Sequence, residues 1–159
     1  MKSVKGTTLL ELMAVLGVLG VLLATAVPYI SGMNQSQLAD RLYRELENDL
    51  RYARNYSVTN GVSVMLEPRS GWDGGWRILG DNGSGTLNEE LRVTNLESKG
   101  NISSDDFSKS TPIVFSARGR ANKSGEVKID VAGCRGTRVR TLFINRIGQI
   151  ILKGENVCK

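Results

Sequence analysis

Thr7-Thr8-Leu9-Leu10-Glu11-Leu12-Met13-Ala14-Val15-Leu16-Gly17-Val18-Leu19-Gly20-Val21-Leu22-Leu23 is the stretch on which the reading of this chain turns. It is an apolar run broken by a single carboxylate. Beyond that carboxylate, from Leu12 to Ala39, the only ionisable side chain is Tyr29. A segment of roughly 20 apolar residues is long enough to cross a bilayer as a helix. A carboxylate at the edge of such a segment is costly to bury and marks a functional position. Taken alone, Glu11 is read equally well as a residue resting at the headgroup level.

Toward the N-terminus the flank is Met1-Lys2-Ser3-Val4-Lys5-Gly6. Two cations before a hydrophobic run hold the N-terminus on the cytoplasmic side. Ala24-Thr25-Ala26 imitates a signal-peptide cleavage site. The apolar pattern nevertheless continues past it through Val27, Pro28, Tyr29 and Ile30, which favours an uncleaved stem.

Toward the C-terminus, Leu38, Leu42, Leu46 and Leu50 lie one helical turn apart, with Tyr43 and Ala53 beside the stripe. Arg41 and Glu45, then Glu47 and Arg51, are opposite charges four apart on the other face. Asn60-Gly61 supplies the stop. The expectation is one long spine kinked around Pro28, with residues 7–30 as membrane stem and 31–61 as amphipathic half. From residue 62 the signal changes to short β-rich runs: 62–67, 75–79, 90–96, 111–116, 126–131, 138–144 and 149–153, separated by Gly, Asn, Asp and Ser. The fold class expected is α+β: a long N-terminal helix whose leucine stripe packs on an antiparallel β-sheet or small β-sandwich spanning 62–159.

Composition narrows the chemistry. There is no His in 159 residues, which excludes His-based triads and His-ligated metals. No nucleophile–base pair and no phosphate loop with a lysine is present, so an enzyme is not expected, nor any cofactor or metal. Asp81-Asn82-Gly83-Ser84-Gly85 lacks the spacing and closing Glu of a calcium loop and reads as turn chemistry. The net charge of +5 is regional: residues 107–159 hold 11 basic and 3 acidic side chains, residues 29–106 hold 8 and 12. Cys134 and Cys158 are the only cysteines. With a cytoplasmic N-terminus the remainder lies in the periplasm, where a disulfide between them is expected and would contribute about 3 kcal/mol. Two free thiols are the alternative.

The N-terminal segment Gly6-Thr7-Thr8-Leu9-Leu10-Glu11-Leu12 resembles the processing motif of type IV pilins and type II secretion pseudopilins. That resemblance implies a leader of residues 1–6 cut after Gly6 by a prepilin peptidase, with Thr7 as the methylated N-terminus. Thr7 departs from the phenylalanine or methionine usual there. Glu11 and Pro28 take the places of the family's assembly residues, the glutamate meeting the N-terminal amine of a neighbouring subunit and the proline loosening the stem. A charge pair at about 4 Å gains several kcal/mol at intermediate dielectric, which fixes register more than it adds net stability. The middle of the chain, Leu50–Val58, Val62–Val64, Gly75–Leu79 and Phe115–Gly119, resembles the GspH/FimT group of minor pilins and pseudopilins. The function implied is a minor pilin or pseudopilin. Its partners are other pilins in a filament, prepilin peptidase and the bacterial inner membrane, where it is a single-pass protein with a periplasmic C-terminal domain before entering a pilus or pseudopilus near the tip.

The alternative is a DNA-binding minor pilin. Arg118, Arg120, Lys123, Arg135, Arg138, Arg140, Arg146 and Lys153 form basic clusters in the C-terminal third. Arginine grips phosphate bidentately, and adjacent glycines let the backbone approach. The Gly-Arg-x-Arg string of DNA-binding relatives is replaced at the matching place by Gly148-Gln149-Ile150-Ile151, while Arg118-Gly119-Arg120 is a similar string elsewhere. Few aromatics interleave, so binding to duplex DNA would be nonspecific and salt-sensitive.

Overall fold

A computed structural model describes the backbone of residues 8–96 and 101–158, and their side chains except those of 25–32 and 101. Helix α1 runs Leu9–Asn60, 52 residues, or about 78 Å at 1.5 Å per residue. Thr8 caps it, its hydroxyl accepting from the Glu11 N–H at 3.3 Å. Gly61 closes it in the left-handed region (φ 66°), donating to the Ser57 carbonyl. The helix passes without interruption through position 28; the Pro28 side chain lies outside the described residues, as do Lys2, Lys5, Gly6 and Thr7.

Eight strands follow: β1 Val64–Pro68, β2 Gly75–Asp81, β3 Leu87–Asn95, β4 Asn101–Ser103, β5 Ile113–Phe115, β6 Gly125–Asp130, β7 Val139–Ile144 and β8 Ile150–Asn156. Among the described residues they form two four-stranded antiparallel sheets, β3-β2-β1-β5 and β4-β6-β7-β8. The α+β class holds, with two sheets sharing one core. Seven of these strands fall on the β-rich runs of the sequence. The strand Asn101–Ser103 does not, because three polar-flanked residues carry no periodicity; its pairing with β6 makes it a strand.

The leucine stripe builds that core. Leu42, Leu46, Leu50 and Ala53 are buried against Val64, Leu66, Ile78, Ile113 and Phe115 of the first sheet and Val127, Ile129, Leu142 and Ile144 of the second. The ion pairs Arg41–Glu45 at 3.7 Å and Arg51–Glu47 at 2.7 Å occupy its outer face. In the Asp81–Gly85 loop, the Asp81 carboxylate accepts from the Gly83 and Gly85 N–H groups, both at 2.9 Å. That is turn chemistry, with the carboxylate occupied by backbone donors.

Candidate functional site

The first candidate region is the N-terminal part of α1. Every large apolar side chain from Leu9 to Leu23 is 47–77% exposed. A Cβ placed on Gly17 or Gly20 would meet nothing within 4 Å. The large apolar side chains of this part of the helix therefore stay largely exposed among the described residues, and Glu11 sits exposed on it. Among the described residues no helix is long and apolar enough to cross a membrane; the described stem side chains stop at Ala24.

The second region is the basic surface, and tertiary structure divides it. Arg138 and Arg140, one β-period apart, both turn toward α1 and pair with Asp40, Arg140 at 2.9 Å. Arg140 also meets Glu155 at 3.2 Å and stacks 4.7 Å from the Tyr43 ring. Its side chain is only 13% exposed. Neither Asp40 Oδ1 nor Arg140 Nε has a well-directed hydrogen bond, so this is a Coulombic latch. Lys153 pairs with Glu126. Lys123 donates to the Asp106 carbonyl at 2.5 Å and lies 5.3 Å from the Phe107 ring. Arg135 joins α1 through its backbone, its N–H donating to Ser36 Oγ at 2.9 Å. Four of the side chains singled out in the sequence are thus committed to carboxylates or a carbonyl of their own domain.

Arg118, Arg120 and Arg146 are different. All three are exposed, and among the described residues none makes a side-chain ion pair. Two turns bring them together, Ser116–Arg120 after β5 and Asn145–Gln149 between β7 and β8. Arg54 of α1 ties both turns down: its Nε donates to the Gly119 carbonyl at 3.1 Å and its Nη2 to the Ile147 carbonyl at 3.4 Å. The turns also touch directly. A Cβ on Gly148 (φ 80°) would sit 1.9 Å from the Gly119 carbonyl oxygen, so only glycine fits.

Cys134 and Cys158 are bridged, with Cα atoms 5.5 Å apart. The bridge joins the β6–β7 loop to the end of β8, where the Cys158 N–H donates to the Gly136 carbonyl at 2.9 Å.

One buried polar centre escaped the sequence reading. Asp49, 3% exposed on the core face of α1, accepts from Trp76 Nε1 at 2.8 Å, Thr94 Oγ1 at 2.8 Å and Arg92 at 2.6 Å. Arg92 in turn lies 4.2 Å from the Tyr52 ring. The signal for it was present: position 49 falls between Leu46 and Leu50 on the apolar face, where a carboxylate must find partners.

Comparison with known proteins accords with this architecture. Residues 43–148 match the family model described as GspH, type II transport protein GspH. Two crystal structures of the type IV minor pilin FimU from Pseudomonas aeruginosa (strain PAO1), in space groups P21 and P65, are similar in fold. The first has a TM-score of 0.58 at 22% identity, covering 79% of this chain and 96% of that one. The second has a TM-score of 0.54 at 22% identity, covering 73% and 96%. No curated protein matches in sequence.

Proposed function

The chain belongs to the family of the type II transport protein GspH, and from that premise we propose that it is a minor pilin or pseudopilin assembled at or near the tip of a type IV pilus or type II secretion pseudopilus. In this reading prepilin peptidase cleaves after Gly6, Thr7 becomes the methylated N-terminus, and the stem resides in the inner membrane before entering the filament. The single observation that carries it is the contrast within α1. Its C-terminal half buries a leucine stripe in the domain core, while the large apolar side chains between Leu9 and Leu23 stay 47–77% exposed. Apolar surface of that extent is costly in water and calls for lipid or neighbouring helices. In this reading Glu11 would meet a neighbour's N-terminal amine and Pro28 would loosen the stem, roles supported by the resemblance of the Gly6–Leu12 motif.

Mass spectrometry of the chain co-produced with a prepilin peptidase tests the reading. A mature N-terminus at methylated Thr7 is expected; any other start overturns it. Glu11→Ala should leave processing intact and reduce incorporation into filaments, and unchanged incorporation removes the register role.

A second reading, DNA binding, is favoured by one specific observation: Arg118, Arg120 and Arg146 converge on one corner without carboxylate partners among the described residues. Phosphate contacts by three arginines would give nonspecific affinity that falls with salt. Absence of duplex retardation by the full chain in detergent at low ionic strength sinks this reading.

A further inference from the structure

We propose that the groove between α1 and β8 receives an extended segment of a different pilin in the filament, one that carries both apolar side chains and carboxylates. This rests on the filament-subunit reading above and names the surface through which such a subunit would hold a neighbour of another kind.

The sheet edges single out β8. The two sheets end in β3, β5, β4 and β8. On β3, Glu89 and Glu90 are exposed, and charges along an edge discourage strand pairing. Beyond β5, Phe115 bridges Ala121, and the Asn122 N–H donates to the Val114 carbonyl at 2.9 Å. The strand β4 is 3 residues long, and shortness also blunts an edge. β8 is different. Its 7 residues include the exposed Ile151 and Leu152. Its charged side chains are taken up within the domain, Lys153 by Glu126 and Glu155 by Arg140. Among the described residues no strand lies beyond it. A long apolar edge left open in this way is a template for another chain.

The groove beside that edge has a volume of about 350 Å³, with Arg51, Arg54 and Asn55 of α1 as one wall and Gln149, Ile150 and Ile151 as the other. Its electrostatics are one-sided. Arg51 is answered by Glu47 at 2.7 Å. Arg54 is half-buried and donates to the Gly119 and Ile147 carbonyls, so its charge meets no carboxylate among the described residues. Arg118, Arg120 and Arg146, exposed on the two turns that Arg54 holds, add to the excess. Val58, against Gly119, and Ile147 are exposed in the same place.

Cations interleaved with apolar side chains suit a carboxylate-bearing polypeptide better than a phosphate backbone, whose contacts are predominantly polar. The open side of β8 offers main-chain groups and apolar side chains to an extended segment. The arginines at the rim set which segment is chosen and which way it runs. The relation is one-way, this chain giving the groove and its neighbour the segment, so a subunit present in few copies holds one partner without propagating.

A photo-crosslinking amino acid in place of Leu152, in the full-length chain produced in its native host, tests the contact, with the adduct sequenced by mass spectrometry. An adduct to an apolar, carboxylate-bearing segment of a different pilin is expected. Arg118→Glu/Arg146→Glu and Ile151→Ser should each lower its yield by roughly fivefold. The same probe at Asn82, in the β2–β3 loop, should not reach that segment. Thermal melts of each variant exclude misfolding as the cause. No adduct, an adduct to a second copy of this chain or to a segment without carboxylates, or a yield indifferent to the variants overturns the contact. If Arg118→Glu/Arg146→Glu loses duplex DNA retention while the adduct is unchanged, the arginines serve nucleic acid and the proposal falls. A methylated Thr7 with no adduct overturns this contact alone, whereas a different N-terminus overturns the reading beneath it.

Discussion

Asp49 anchors the helix to the first sheet through three donors from two strands, Trp76, Arg92 and Thr94. Removing the carboxylate leaves the buried indole N–H and the Thr94 hydroxyl without acceptors. Asp49→Ala should therefore cost about 3 kcal/mol in chemical denaturation, with Asp49→Asn costing less because it keeps an acceptor. Tyr43, on the neighbouring face, has its phenol pushed above its ordinary value of 10.0. Burial is the largest cause, followed by the hydrogen bond to Glu47 and its charge, while Arg140 and Arg51 pull it back. A raised folded-state value means the unfolded chain gives up this proton first. The contribution is complete below the ordinary value and is lost as pH rises through the folded one. Tyr43→Phe should thus soften the fall in stability between about pH 9 and about pH 11, measured by denaturant midpoints. An identical slope in both proteins would remove the assignment. Tyr43 was legible as a residue beside the leucine stripe. Its partner Arg140 comes from the other end of the chain, and only folding reveals it.

Among the elements, the two arginine turns depend on a backbone contact that admits no side chain. Gly148→Ala forces a Cβ to 1.9 Å from the Gly119 carbonyl oxygen at φ 80°, whereas Gly136→Ala, also at positive φ (76°), meets nothing within 4 Å. The second substitution carries backbone strain alone, about 1 kcal/mol. The first must also separate the turns, and should lower Tm by several degrees more in thermal unfolding. Equal losses would show that the contact is loose. Gly148 was visible in the sequence as the place where a basic motif is missing. That its role is to let one turn seat against another could not be read there, because the contact joins residues nearly thirty positions apart. Arg138 and Arg140 show the same limit from the other side. Period-2 spacing put them on one face, but Asp40, their partner on α1, lies 98 positions from Arg138.

Across the whole molecule, the Cys134–Cys158 bridge fixes the end of β8 to the β6–β7 loop, which itself docks on α1 at Ser36. Opening it frees the terminal strand at its far end. Cys134→Ser/Cys158→Ser should lose about 3 kcal/mol, and a reductant should lower the parent's Tm without affecting the variant's. No difference between the two would mean that hydrogen bonding alone secures the end. By itself, the sequence determined the long helix, the leucine stripe that its C-terminal half buries, and most strand positions, because these follow from local periodicity and turn residues. Tertiary structure alone decided which charges are spent and which are left. Ion pairing depends on distances between residues far apart in sequence, and folding brought Asp40, Glu126 and Glu155 to some of the cations while leaving Arg118, Arg120 and Arg146 facing outward.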